Sequence, residues 1–228
     1  MQFKCSLRAL SLLALFAYVP AWADTVDDER IWLNVTAQGK LPLDNYNWYA
    51  EFQPRWREQG EHLDQRLIRL GVNRKFSTHG SLWLGYGNIL THRAVGGSTK
   101  EDRLWQQLTY NFKLGEDIAL QSRTRLEQRW QNNGSDVGHR IRQLVRLSKP
   151  FATAKDLSAI GWAEVFWNFN KTDWGARSGL DQTRVFVGLG YAFTPMVRAE
   201  AGYLNQYINS LTFDRQNHIF STTLSLNF

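Results

Sequence analysis

Apolar and polar residues alternate with a period of two along most of this chain. Trp48, Ala50, Phe52, Pro54 and Trp56 alternate with Tyr49, Glu51, Gln53, Arg55 and Arg57. Leu108, Tyr110, Phe112 and Leu114 alternate with Gln107, Thr109, Asn111 and Lys113, and Val185, Val187, Leu189, Tyr191 and Phe193 with Arg184, Phe186, Gly188, Gly190 and Ala192. The chain closes the same way, with Thr222, Leu224, Leu226 and Phe228 set against Ser221, Thr223, Ser225 and Asn227. Successive strand side chains point to opposite faces, so each segment predicts one apolar and one largely polar face. Eleven such segments are readable, near 30–39, 47–57, 65–77, 81–91, 102–114, 118–130, 139–149, 158–169, 181–193, 197–208 and 217–228. Most run 10–13 residues. Soluble strands average about 5–6 residues, whereas a tilted membrane-spanning strand needs roughly 9–11.

The stretch SRTRLEQRW at 122–130 tests this reading, because Arg123 and Glu127, or Arg125 and Arg129, are four apart and also fit a solvated helix. The connections decide for a strand. Ser77–Gly80, Gly115–Asp117 and Thr194–Met196 are tight turns, while Thr91–Glu101, Gln131–Gly138, Lys171–Gly179 and Asn209–Gln216 are longer polar links, and the two kinds largely alternate. The link at Pro150–Asp156 is of intermediate length and falls in the short-turn slot. Read as a strand, 122–130 turns Arg123, Arg125, Glu127 and Arg129 inward and offers Leu120, Ser122, Thr124 and Leu126 to lipid. A wet barrel lumen holds such charges and a soluble sandwich core does not. The expectation is an all-β fold: a transmembrane antiparallel up-and-down β-barrel with short periplasmic turns and longer external loops. About ten strands are expected, counted from Asn47, with twelve as the alternative. Eleven alternating strands ending on the periplasmic side would have to begin outside, and bacterial single-chain barrels usually have an even number.

Composition fits this picture. Mean hydropathy is negative although the chain holds ten Trp, as expected when half of every strand faces a polar lumen. Aromatic residues sit near segment ends, with Phe76, Phe112, Tyr191, Phe193 and Phe228 on the turn side and Trp56, Trp130, Trp167 and Phe169 on the loop side, as in interfacial girdles. At the start, Lys4 and Arg8 precede an apolar run from Leu10 to Val19 and the small-x-small site Ala21-Trp22-Ala23. That is the layout of a secretory signal peptide over 1–23, cleaved after Ala23, leaving a single domain over 24–228 in the bacterial outer membrane. Cys5 is the one cysteine and lies inside that leader, so the exported chain forms no disulfide and no thiolate metal site. A formal charge of +6 does not mark a nucleic-acid partner in an exported protein.

The last residues, STTLSLNF, place Leu224, Leu226 and Phe228 on one face. They look like the C-terminal signal read by the barrel-assembly machinery of Gram-negative outer-membrane proteins, which would make that machinery, with outer-membrane lipids, a partner. Five further stretches, RTRLEQR at 123–129, HRIRQLVRLSKP at 139–150, WAEVFWNFN at 162–170, DQTRVFVGLGYAF at 181–193 and EAGYLNQYI at 200–208, resemble the bacterial outer-membrane family catalogued as domain of unknown function 2490. The resemblance covers most of the exported chain and implies fold and location, with no activity attached.

By the parity above, the polar face collects Arg55, Arg57, Arg69, Arg103, Arg123, Arg125, Arg129, Arg140, Arg142, Arg146, Arg184 and Arg198, against Glu51, Glu127, Glu164 and Glu200. Directly opposed residues on paired strands sit roughly 5 Å apart, so the arginine ladders at 123–129 and 140–146 repel unless Glu127, Glu164, water or an anion intervenes. Rings of Arg favour anionic solutes. A narrow channel for small anionic solutes is therefore one expectation, with Gly71, Gly85, Gly87, Gly188, Gly190 and Gly202 leaving room inside. A lumen plugged by interlocked Arg and Glu, giving a structural barrel without transport, is the alternative. A lipid-modifying enzyme has the least support: none of His62, His79, His92, His139 or His218 is followed two places later by Ser, and no Gly-x-Ser-x-Gly or His-Glu-x-x-His occurs. His139 and Glu164 are left as a pair that folding could bring together. No catalytic residue, metal or cofactor is expected.

Overall fold

Among the described residues, eleven strands close one sheet into a barrel. They are β1 (Thr25–Lys40), β2 (Tyr46–Arg57), β3 (His62–Lys75), β4 (Gly80–His92), β5 (Ser98–Leu114), β6 (Ile118–Gln131), β7 (Gly138–Phe151), β8 (Ala154–Asn168), β9 (Gly179–Ala192), β10 (Val197–Ile208) and β11 (Asp214–Asn227). The computed structural model describes residues 25–93, 97–115, 117–210 and 213–228. The expected leader over 1–23 with Cys5, and the central residues of the 91–101, 115–117 and 209–216 links, lie outside the described residues.

Neighbouring strands pair antiparallel all the way round, except that β1 pairs β11 in parallel from Thr25↔Asp214 to Gln38↔Asn227. The count resolves the parity question in favour of eleven: residues 25–40 form a full wall strand of 16 residues, so the barrel does not begin near Asn47. In an up-and-down chain the first and last of an odd number of strands run the same way, and closure then requires one parallel pair. The seam is hydrogen-bonded to its end, with Thr36 Oγ1 donating to Ser225 Oγ (3.1 Å) and Phe228 N donating to Gln38 O (2.9 Å).

One end of the barrel carries the turns at 41–45, 76–79, 115–117, 152–153 and 193–196, and the other the links at 58–61, 93–97, 132–137, 169–178 and 209–213. The β7–β8 connection is tighter than the sequence suggests, because β7 continues through Pro150 to Phe151 across a register irregularity. Turn chemistry is local. Ser77 Oγ accepts from His79 N (3.2 Å) and Gly80 N (2.8 Å), and Thr194 Oγ1 accepts from Met196 N (3.2 Å) and Val197 N (3.0 Å), the short hydroxyl turns that end a strand without a glycine.

The packing is inverted relative to a water-soluble barrel. Leu70, Leu82, Leu84, Leu108, Val185, Val187, Leu189 and Phe220 stand exposed on the outer wall, and Phe76, Phe112, Phe193 and Phe228 at one rim face Trp130, Trp167 and Phe169 at the other. Arg140, Arg142, Glu127 and Glu164 are buried inside. A 14-residue strand such as β3 measures roughly 46 Å, and with a tilt of about 45° it crosses roughly 33 Å, close to a bilayer's hydrocarbon core of roughly 30 Å.

Two apolar groups also lie inside. Trp32, Ile160, Phe186, Leu204 and Ile219 form a buried cluster on the side of β1 and β8–β11, with Trp162 stacked on Phe186 at 5.3 Å between ring centroids. On the opposite wall the indole of Trp105 lies across Gly71 and Gly85, where a Cβ on Gly71 would stand 2.8 Å from the ring and one on Gly85 closer still. These glycines therefore do not leave open space; they let a large ring lie flat against the wall.

Candidate functional site

The interior is organised around two glutamates. Glu127, 1 % exposed, stands on β6 opposite Arg140 of β7 and one step from the Arg125↔Arg142 pair. Its Oε2 accepts from Arg140 Nε (2.9 Å) and Nη2 (2.6 Å), and its Oε1 from Arg142 Nη1 (2.8 Å). Glu164 of β8, 2 % exposed, accepts on Oε1 from Arg142 Nε (3.0 Å) and Nη2 (2.8 Å) and from Arg123 Nη2 (2.8 Å), with Arg184 4.0 Å from Oε2. Glu127 thus holds Arg140 and Arg142 together, and Glu164 holds Arg123 and Arg142. Delocalised guanidinium groups suit such bridging because each offers several donors in one plane.

A third carboxylate does the same one layer nearer the loops. Arg103 and Arg129 face each other across β5 and β6, and Glu101 Oε1 accepts from the Nε of both at 2.6 Å. Phe166 supplies a face to Arg142, Arg184 and Arg140, whose guanidinium carbons lie 4.4, 4.7 and 5.2 Å from its centroid. Trp105, Leu67, Ile89, Asn168 and Asn217 are fully buried in the same half, so ion pairs, aromatic rings and aliphatic side chains fill the loop-side lumen.

The loops add a cover. Asp173 accepts from the backbone N–H of Ser135 (2.7 Å) and Asp136 (3.1 Å), and Asp136 Oδ2 accepts from Asp173 N (2.8 Å), so the 132–137 and 169–178 loops clamp each other. The N–H groups of Ser135, and then of Asp136, hold the fully exposed Asp173 carboxyl below the ordinary range for aspartate. Trp174 donates Nε1–H to Asp136 O (2.8 Å) and lies 5.0 Å from the guanidinium of Arg129.

Below this filled half the lumen widens into a cavity of about 630 Å3 at the turn end, where Gln38, Asn111, Gln121, Ser148 and Asn227 line it. Among the described residues its wall carries eight arginines against three glutamates. Glu51 accepts from Arg69 Nη1 (2.5 Å), and Glu200 accepts from Arg146 Nη2 (2.5 Å) and Nη1 (3.0 Å). Arg125 and Arg55 have no carboxylate within 4.0 Å among the described residues. Arg125 gives Nε and Nη2 to the neutral Gln107 Oε1 (2.8 and 2.6 Å) and lies 4.4 Å over Trp105, and Arg55 gives Nη2 and Nη1 to Gln53 (2.7 Å) and Gln65 (2.9 Å) and lies 3.8 Å over Trp32.

All of Arg103, Arg123, Arg125, Glu127, Arg129, Arg140, Arg142, Arg146, Glu164, Arg184 and Glu200 turn into the lumen, and all but Arg125 fall into three groups of ion pairs, around Glu101, around Glu127 with Glu164, and around Glu200. Arg57 sits at the loop rim beside Glu58 (3.1 Å). Glu101 escaped the sequence reading because it was assigned to the 91–101 loop, although its parity matches that of Arg103. Asp181, which accepts from Arg140 Nη1 (2.8 Å), was missed because alternation places it on the outer face with Val185 and Val187, whereas a register irregularity opposite Phe166 and Trp167 lets it reach inward. Leu224 and Leu226 lie on the seam opposite Val35 and Ala37, and Phe228 stacks against Trp48 (6.1 Å). His139 is exposed at the loop end while Glu164 is buried among arginines, so the two do not meet. Glu58, Glu61 and His62 bring exposed ligand atoms within 4.8 Å of one another in the β2–β3 connection, a solvated acidic cluster.

An uncharacterised protein of Methylorubrum extorquens is 36 % identical over 228 residues, covering 97 % of this chain and 96 % of that relative. Residues 29–217, from the first strand to the last, match a family model. With that span running from within β1 through β10 into the start of β11, the chain belongs to the family described as Protein of unknown function (DUF2490).

Proposed function

We propose that this protein is an outer-membrane β-barrel whose lumen is blind: closed to ion flow on the loop side and open as a vestibule on the turn side. The observation that carries this is the filled loop-side half, where Glu127 and Glu164 are buried between arginines and Trp105 and Phe166 close the space around them. Membrane residence is supported by the exposed apolar wall between two aromatic rims, an arrangement that water-soluble monomers avoid over so large an area. Outer-membrane lipids then cover that wall, and the exposed Phe228 at the end of β11 offers the barrel-assembly machinery its terminal aromatic.

The narrow anion channel is the second reading, favoured by the arginine excess in the vestibule wall. Single-channel recording of the refolded mature protein in planar bilayers under a KCl gradient separates the two. Heat-stable, inserted protein without discrete openings is the expected result. Anion-selective openings that diminish in Arg125→Ala would replace the blind barrel with the channel.

A further inference from the structure

We infer that the vestibule is a binding site for a small anion carrying two or more negative charges of carboxylate or phosphate type, with Arg125 and Arg55 as its principal charge partners. The inference rests on the reading of the lumen as a blind vestibule. It begins with charge. The wall of the 630 Å3 cavity carries five more arginines than glutamates among the described residues. Most of these arginines share the three glutamates, but Arg125 and Arg55, 5 % and 6 % exposed, have no carboxylate within 4.0 Å among the described residues and are held by glutamine oxygens and indole faces. A buried cation whose partners are neutral keeps a large part of its desolvation cost.

Arg184 adds to the excess. Its Nε has no acceptor among the described residues, its nearest carboxylate oxygen is 4.0 Å away, and it shares the face of Trp32 with Arg55, the two guanidinium carbons lying 5.0 and 3.8 Å from the ring. Two cations against one indole make a local concentration of positive charge in a site shielded from bulk water, where an anion is attracted more strongly than at an open surface. The cavity accommodates a molecule of a few carbon or phosphorus centres, and its opening at the turn end lets such a solute enter from water. Because the charge is distributed over several arginines on opposite walls, a multivalent anion neutralises it better than chloride.

Gln107 and Gln53 make the test specific. Gln107→Glu places a carboxylate where the amide already accepts from Arg125, and Gln53→Glu does the same for Arg55. Each supplies internally the charge that the solute would bring. The mature protein in detergent would be titrated with citrate, and separately with inorganic phosphate, against NaCl of equal ionic strength, reading calorimetric binding and unfolding temperature. The expected result is saturable binding of at least one of the two anions, weakened at least tenfold in Gln107→Glu or Gln53→Glu, with the variant more stable than the parent in anion-free buffer. Preference between citrate and phosphate identifies the charged group. Equal responses to citrate, phosphate and NaCl, or unchanged affinity in both variants, would overturn the assignment. A blind barrel that binds nothing fails here alone, and a conducting barrel that binds citrate fails only in the bilayer recording.

Discussion

Glu127 shows how much a single side chain carries in this interior. Its two oxygens hold Arg140 and Arg142 at 2.6–2.9 Å, with almost no exposure of any of the three. Burying these ions in the first place contributes little net stability, because desolvation offsets their attraction. Removing one member is a different matter, since two guanidinium groups are left facing each other. Glu127→Gln is therefore expected to destabilise the barrel by about 3–5 kcal/mol, read from guanidinium unfolding of the protein in detergent. A loss below about 1 kcal/mol, the range of exposed pairs, would mean that the layer is solvated and not sealed. Trp105 makes a steric counterpart. Its ring occupies the space above Gly71 and Gly85, so Gly85→Ala must push it into the neighbouring Arg125, at a cost of about 1–3 kcal/mol, with a shift in tryptophan emission as the ring is displaced.

At the scale of elements, the strands are stabilised by their pairing and the long loops by reciprocal caps. Asp173 and Asp136 each accept the other loop's backbone N–H, which fixes 132–137 against 169–178 without a disulfide. The folded Asp173 carboxyl titrates below its unfolded value because backbone donors favour its charged form. The sign follows by linkage: the clamp's contribution is complete above the ordinary aspartate range and is lost as pH falls through the depressed folded value. The amide shifts of Ser135 and Asp136, followed by NMR in micelles, should titrate together with a midpoint below that of a free aspartate, and Asp173→Asn should abolish the transition. A midpoint at the ordinary value would show that the loops are not clamped in solution.

At the scale of the whole molecule, closure depends on one parallel seam. Residues at opposite ends of the sequence meet there, Gln38 beside Asn227 with side chains 2.5 Å apart. Gln38→Cys with Asn227→Cys, in a mature chain expected to lack other cysteines, should oxidise to a disulfide that joins the chain ends. Reducing and non-reducing gels of the heat-denatured protein would show it as a mobility difference. Its absence under oxidising conditions would argue for an even-stranded barrel with 25–40 outside the wall, the arrangement counted from Asn47.

Period-two alternation is a local property of the chain, so the sequence alone determined which face of each strand carries charge, and with it the all-β class, the approximate strand ends and nearly every lumen arginine. Glu101 was lost only because the start of its strand was placed at 102, four residues after Ser98. What the tertiary structure decided depends on residues far apart in sequence. Whether residues 25–40 join the wall turns on their pairing with 214–227, and no local pattern distinguishes a parallel closing strand from an unpaired arm. Whether the glycines leave a pore turns on the volume of Trp105, which reaches Gly71 and Gly85 from another strand, and of Phe186, which covers Gly188 of its own strand and Gly202 of the next. And whether twelve arginines repel or interlock turns on where a few carboxylates fall in the register, since Coulomb energies change sign with partner and weaken with distance. Alternation made a charged lumen necessary; only the closed barrel made it half-filled and left Arg55 and Arg125 with no carboxylate within 4.0 Å among the described residues.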